Sequence, residues 1–314
     1  MKRFLSVLLA VVLCLGMFPI TAAAADPFDD VSSDQWYYAD VIKAYEMGLI
    51  NGKSTTLFKP NDNLTYAEAV KLAACMYQVR EDPGAQLTNG TPWYQTYVDY
   101  CKEEGIISKE YPWNEAATRA GYMEIFAKAL SEGYLNEINT VPDGAVPDVP
   151  MEHPQAEAIY RLYRAGIVQG VDAERSCRPD ETIKRSEVAA ILTRMMDRTA
   201  RVNFCLDPDL LYIARQPVDA AAAETVTFRV EVTGGKPPYR YQWQLKASAD
   251  GKFAQWSDFD REGTNAAYQK PELVLQPSAS FLETVFRKQI IFRCVITDSA
   301  GQAVTSNEVR IIPN

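Results

Sequence analysis

Histidine is almost missing from this chain: His153 is the only one among 314 residues. One imidazole cannot build a metal cluster, and no nucleophile motif flanks it, so a metalloenzyme or a triad hydrolase is not expected and His153 reads as a loop residue. Cysteine is scarce and badly arranged for cross-linking. Beyond Cys14 in the N-terminal apolar stretch there are five, Cys75, Cys101, Cys177, Cys205 and Cys294, an odd number with no CxxC pair. That argues against a disulfide framework and a zinc site, and no metal or cofactor is expected. Positive charge is the minority sign, 32 Lys and Arg against 41 Asp and Glu, which disfavours nucleic acid and anionic lipid as partners. After the N-terminus no run is apolar enough for a transmembrane segment, and Val309 to Asn314 form neither a hydrophobic tail nor a sorting signal.

What is present begins with Met1-Lys2-Arg3, an apolar stretch from Phe4 to about Phe18, and Ala22 to Ala25 before Asp26. This order predicts a secretory signal peptide over 1–25, too short to span a bilayer. Cys14 follows Leu13 inside the apolar stretch and does not read as a lipoprotein cysteine. Losing Lys2 and Arg3 takes the net charge from −9 to −11 and leaves about 290 residues, enough for two or three domains.

Three similar tripeptides, Gly48-Leu49-Ile50, Gly105-Ile106-Ile107 and Gly166-Ile167-Val168, recur at spacings of 57 and 61 residues. Before each glycine lies a helical pattern, with Val41, Ile42 and Tyr45 on one face in the first and Ile159, Leu162 and Tyr163 in the third. The glycine then ends the helix in the left-handed conformation. A second helix is expected from about Thr65, Thr118 and Lys184, and Thr65 with Glu68 forms a capping-box pattern. Each unit is too small to hide its own apolar stripe. Three packed together can.

The residues that carry a family resemblance are Phe28-Asp29-Asp30-Val31, Trp36-Tyr37, Gly48-Leu49-Ile50-Asn51-Gly52, Phe58-Lys59-Pro60 and Leu64-Thr65-Tyr66-Ala67-Glu68 in the first repeat. The third matches through Val146-Pro147-Asp148-Val149, Gly166 to Gly170, Arg178-Pro179-Asp180 and Lys184-Arg185-Ser186-Glu187. The middle repeat keeps Trp93-Tyr94, Gly105-Ile106-Ile107 and Thr118-Arg119-Ala120, but lacks the second loop glycine and has Gly121 where glutamate is usual. These segments resemble the S-layer homology family. The resemblance divides the chain into repeats over 26–82, 83–140 (degenerate) and 141–204, followed by a linker over 205–224.

Over 225–314 the apolar period changes to two, in Val226, Phe228, Val230 and Val232, in Tyr239, Tyr241, Trp243 and Leu245, and in Ile290, Phe292, Cys294 and Ile296. Trp243 followed later by Cys294 resembles the core of an immunoglobulin-like domain whose first cysteine is missing. The fold class expected is therefore multidomain, an all-α three-repeat domain followed by an all-β immunoglobulin-like sandwich.

The S-layer homology resemblance implies non-covalent binding of a secondary cell-wall polysaccharide, typically pyruvylated, in grooves between repeats. Its ligand residues fall on Arg119 and Arg185, Asp30 and Asp148, Trp36 and Trp93, and Gly52 and Gly170, with Tyr66 in place of the first arginine and Pro154 in place of the third tryptophan. Each has a plainer reading: arginines on a solvated face, tryptophans wedging a helix, aspartates capping the helix that follows. One or two working grooves are expected. The chain is thus expected to be secreted, non-enzymatic and held at the cell wall or surface with the S-layer, its C-terminal domain a spacer or adhesin of unknown partner. Two alternatives stand beside this: a carbohydrate-active enzyme accessory or lectin-like module in the C-terminal region, and a self-assembling S-layer subunit.

Overall fold

The computed structural model describes residues 26–84, 86–247, 251–255 and 269–313, so the leader expected over 1–25 lies outside the described residues. Six helices come in three pairs: α1 (Tyr38–Glu46) with α2 (Tyr66–Glu81), α3 (Gln95–Glu103) with α4 (Arg119–Phe126), and α5 (Ala156–Arg164) with α6 (Arg185–Met196). The first helix of each pair stops at Gly48, Gly105 or Gly166, whose φ angles of +69°, +71° and +69° suit glycine alone. The second starts where the capping pattern puts it. Thr65 accepts from the Glu68 amide at 3.2 Å while Glu68 accepts from the Thr65 amide at 2.9 Å, and Thr118 accepts from the Gly121 amide at 3.0 Å.

The three pairs close on one another through a ring of backbone bonds. Leu64 N donates to Ile183 O at 3.0 Å, Ile183 N to Ala117 O at 3.1 Å, and Ala117 N to Leu64 O at 2.7 Å. Each second helix then gives its first orphan amides to the loop of the next pair: Tyr66 and Ala67 to Glu115 and Trp113, Arg119 and Ala120 to Glu181 and Pro179, Arg185 and Ser186 to Asp62 and Pro60. The helices neighbour one another round the same circle, with α3 beside α2, α5 beside α4 and α1 beside α6. Val41, Phe58, Val70, Tyr122, Phe126, Ile159, Tyr163 and Leu192 belong to one continuous core. A single pair would leave both its apolar face and its helix-start amides bare, so the unit of stability is the ring.

The C-terminal region is rich in strands: β1 (Tyr212–Arg215), β2 (Ala220–Ala221), β3 (Val226–Arg229), β4 (Glu231–Thr233), β5 (Arg240–Ala247), β6 (Ala254–Gln255), β7 (Glu272–Leu275), β8 (Ile290–Thr297), β9 (Ala303–Thr305) and β10 (Ile311–Ile312). Its largest sheet has the order β6-β5-β8-β9, and β3 pairs antiparallel with β7. Between them Phe228 meets Trp243 and Phe292, with ring centroids 6.3 Å and 5.3 Å apart. Trp243 is fully buried, donates its indole N–H to Lys270 O at 3.0 Å, and stands opposite Cys294 in the β5–β8 register. All five described cysteines are free thiols.

Two expectations need correction. The C-terminal region is not all-β, because α7 (Ala279–Lys288) lies between β7 and β8, started by Ser278, which accepts from the Phe281 amide at 3.2 Å. Nor is 205–224 a linker throughout. Leu206 donates to Thr140 O at 2.9 Å and so still belongs to the helical ring, whereas β1 pairs with β4 and β2 with β10, leaving residues 207–210 as the junction. Strands of two to four residues whose partners lie far along the chain leave no alternation long enough to read.

Candidate functional site

Arg119 and Arg185 are the first residues of α4 and α6, and each reaches across to the next helix pair. Arg119 donates from Nε to Cys177 O at 2.6 Å and pairs through Nη1 with Glu187. Arg185 donates from Nε to Phe58 O at 2.9 Å and from Nη2 to Asn51 O at 2.6 Å, and lies 3.9 Å from Glu68. Both are only 4% exposed, so neither sits on a solvated face. Burial pulls the Arg185 guanidinium below its ordinary value, opposed by Glu68, Asp62 and Asp30. For Glu68, burial pushes the carboxyl up, but the hydrogen bonds from Lys53 and the Thr65 amide, with the charges of Lys53 and Arg185, hold it below its usual range.

The aspartates do not cap helices. Asp30 accepts from the Phe58 and Lys59 amides at 2.7 and 2.8 Å, and Asp148 from the Cys177 and Arg178 amides at 2.8 and 2.7 Å. They pin loops that pass through left-handed residues, Lys59 at φ 60° and Arg178 at φ 52°. The loop glycines are also structural. A Cβ on Gly52 would lie 2.4 Å from Ser54 O, and one on Gly170, at φ +83°, 2.5 Å from the Arg175 backbone.

One open groove of about 530 Å³ gathers residues from all three pairs: Trp36 and Asn61 from the first, Arg119 from the second, and Gly170, Arg178, Lys184, Glu187 and Arg194 from the third. Trp36 is 63% exposed, its ring edge-on to Tyr37. Arg178 is half-exposed and paired with Asp172 and Glu181. Arg194 is pulled below its ordinary value by burial, opposed by Asp40. Of the residues expected from the sequence, Trp36, Arg119 and Gly170 therefore meet in this groove. Lys184 and Arg194 were not anticipated; the signal was available, since Glu187, Ile191 and Arg194 recur on one helical face.

The equivalent positions one step round the ring bring Arg185, Glu68 and the Gly52 loop together, while Trp93, 38% exposed, has Lys71 Nζ 5.7 Å from its ring centroid. One step further, Tyr66 is no missing donor. It is buried, stacks on Tyr111 at 5.1 Å and lies 3.2 Å from Thr118 Oγ1. A Cβ on Gly121 would lie 2.3 Å from its hydroxyl. The two departures from the family pattern are one compensating pair, in which tyrosine fills the space that arginine and glutamate share elsewhere. His153, half-buried in its loop, accepts from the Gln155 amide at 3.2 Å and faces none of this.

Comparison with known proteins adds to this geometry. The model of the S-layer homology domain matches residues 27–70 and 147–189. The chain is 31% identical over 84 residues to the Surface-layer 125 kDa protein of Lysinibacillus sphaericus, covering 26% of this chain and 7% of that protein. It is 23% identical over 198 residues to an S-layer protein of Bacillus thuringiensis subsp. finitimus, covering 62% of this chain and 24% of that one. It is 22% identical over 253 residues to an endoglucanase of Bacillus sp. (strain KSM-635), covering 74% and 26%. The chain thus spans between 7% and 26% of the length of these relatives. Among the described residues no helix is long and apolar enough to cross a membrane, and no cluster of His, Cys, Asp and Glu could hold a metal ion.

Proposed function

From the premise that this chain carries S-layer homology domains and is associated with the cell surface and wall, we propose that the helical ring holds it there by non-covalent binding of an acidic wall polysaccharide. On this reading the leader over 1–25 directs secretion, the C-terminal region is displayed as an immunoglobulin-like spacer or adhesin, and the protein works by binding, without catalysis. The observation that carries the reading is the groove in which Trp36, Arg119 and Gly170, from three different pairs, face one space. A sugar ring stacks its C–H face on an aromatic platform, which Trp36 offers. A carboxylate asks for cations, and Arg119, Arg178, Lys184 and Arg194 line the groove against Glu181 and Glu187 in a chain whose net charge is −9. A pyruvylated polymer combines the two requirements. Cosedimentation of the secreted protein with purified wall polymer, before and after mild acid removal of pyruvyl ketals, tests it: binding is expected to fall sharply after treatment, and undiminished binding contradicts the carboxylate chemistry.

A second reading rests on a cleft of about 600 Å³ on the outer face of β5 and β8, lined by Tyr239, Arg240, Gln242, Gln244 and Thr297. Amides beside an aromatic suit sugar hydroxyls, which favours a lectin-like role for the C-terminal region. A glycan screen in which Gln242→Ala removes a signal that Trp36→Ala leaves intact supports that role.

A further inference from the structure

At the C-terminal ends of α2 and α6, on the backbone side of the groove residue Arg194, three arginines gather around Tyr134. Cζ of Arg80 lies 4.8 Å and that of Arg198 5.1 Å from the Tyr134 ring centroid. Arg80 Nη1 donates to the Tyr134 hydroxyl at 3.3 Å, and Arg201 Nη2 donates to the Tyr134 carbonyl at 2.6 Å. Among the described residues none of the three makes an ion pair, although Lys43, Lys53, Lys102, Lys109, Arg119 and Arg185 each do. Asp197 pairs instead with Lys43 and Thr199 and Glu137 with Arg164, while Glu81 and Glu132, the other acids close in sequence, form no ion pair with the cluster.

The remaining bonds of the cluster go to carbonyls. Arg80 donates to Met196 O at 2.8 Å, Arg201 to Arg194 O at 3.1 Å, and Arg198 to Gly133 O. Two of these carbonyls, Arg194 O and Met196 O, lie in the last turn of α6, whose C-terminus carries about half a negative charge, so the helix offsets only part of the three positive charges. The remainder is met by no carboxylate ion pair among the described residues, in a chain where cations are the minority. Arg80 Nε is also buried without a hydrogen-bond partner, an orphaned donor inside the cluster. Burial, with the charge of Arg198, lowers the proton affinity of Arg201, the direction an uncompensated cluster produces.

We propose that this cluster, none of whose three arginines lines the groove, is a second anion site for a phosphate group. Planar guanidiniums match phosphate oxygens with paired donors, and a tetrahedral phosphate meets guanidiniums from more than one direction where a flat carboxylate does not. Arg198 is exposed and Tyr134 half-buried, so the ligand has access from solvent. The source of the phosphate is a phosphodiester polymer of the wall or the free anion, and the two are separable.

The test is thermal unfolding of the full chain in increasing inorganic phosphate, in a soluble glycerol phosphate polymer, and in acetate at matched ionic strength. A saturable rise in Tm of about 2–4 °C is expected with a phosphate ligand and not with acetate. Arg198→Gln, at an exposed position, is expected to keep the fold and weaken the response about tenfold. Trp36→Ala is expected to leave the response unchanged. A stronger response to the polymer identifies a wall phosphodiester and a stronger response to free phosphate identifies the small anion, and either upholds the site. No saturable rise with either ligand, a rise undiminished in Arg198→Gln, or one abolished in Trp36→Ala overturns it.

Discussion

At Tyr66 an aromatic ring occupies the volume that Arg119 with Glu187, and Arg185 with Glu68, fill at the other two junctions of the ring. Tyr66→Arg would bury a guanidinium opposite Gly121, with no carboxylate to meet it, and is expected to cost about 3 kcal/mol in urea unfolding. Adding Gly121→Glu should recover most of that loss, and a double-mutant cycle with no coupling contradicts the compensation. The cysteines give a second check. Burial pushes the Cys101, Cys177 and Cys294 thiols up to about 12, so iodoacetamide at pH 8 should modify Cys75 and Cys205 alone in the folded protein and all five once it is unfolded. Alkylation of Cys177 without unfolding contradicts that packing. Trp36 and Arg119 were legible as site candidates through the repeat motif that holds them, to which the S-layer homology resemblance gives ligand roles. What Asp30 and Asp148 do was not legible, since a carboxylate that pins a distant loop looks in sequence like one that caps the next helix.

Helix starts at Thr65, Thr118 and Lys184 and helix ends at Gly48, Gly105 and Gly166 could be read directly, because caps and left-handed glycines are local signals. The short strands β1 and β2 could not, because their partners, β4 and β10, are set by the tertiary fold. α7 interrupts a region whose alternation pointed to strands throughout. Among the elements, the loops held by Asp30 and Asp148 deserve a mutation each: Asp148→Ala strips two amide partners and should cost about 1–3 kcal/mol while leaving the helical signal of the folded state in place. A smaller effect, within the scatter of a surface substitution, contradicts the pinning role. Carboxylates also set the response to acid. Glu68 is held below the usual range by Lys53, the Thr65 amide and Arg185 against the effect of burial, and Asp197 by its hydrogen bonds from Lys43 and Thr199. A depressed carboxylate stabilises the fold above its unfolded value and stops doing so as pH falls through its folded value, so the melting temperature should be level above about pH 5 and drop below about pH 4. A protein that gains stability on acidification contradicts these pairings.

Over the whole molecule, the three helix pairs close a ring in which every pair completes its neighbour, and the β-rich region follows after a junction at residues 207–210. Limited proteolysis is expected to cut at that junction ahead of 219–224, since β2 there is paired with β10; early cleavage inside 219–224 contradicts the strand assignment. The ring brings Trp36, Arg119 and Lys184, far apart in sequence, to one positively lined groove in an acidic protein, by which we propose the chain is held on the wall. Arg119 is a poor probe of that claim, because its ion pair with Glu187 also joins two helix pairs. Trp36 is the better one: it is 63% exposed, so its removal should leave the fold intact. The most direct measurement is the affinity of Trp36→Ala for purified wall polymer, with Val79→Ala, 60% exposed and outside the groove, as control. A loss of about tenfold or more is expected for Trp36→Ala at unchanged melting temperature, and none for the control; a Trp36→Ala protein that binds as tightly as the parent contradicts the account.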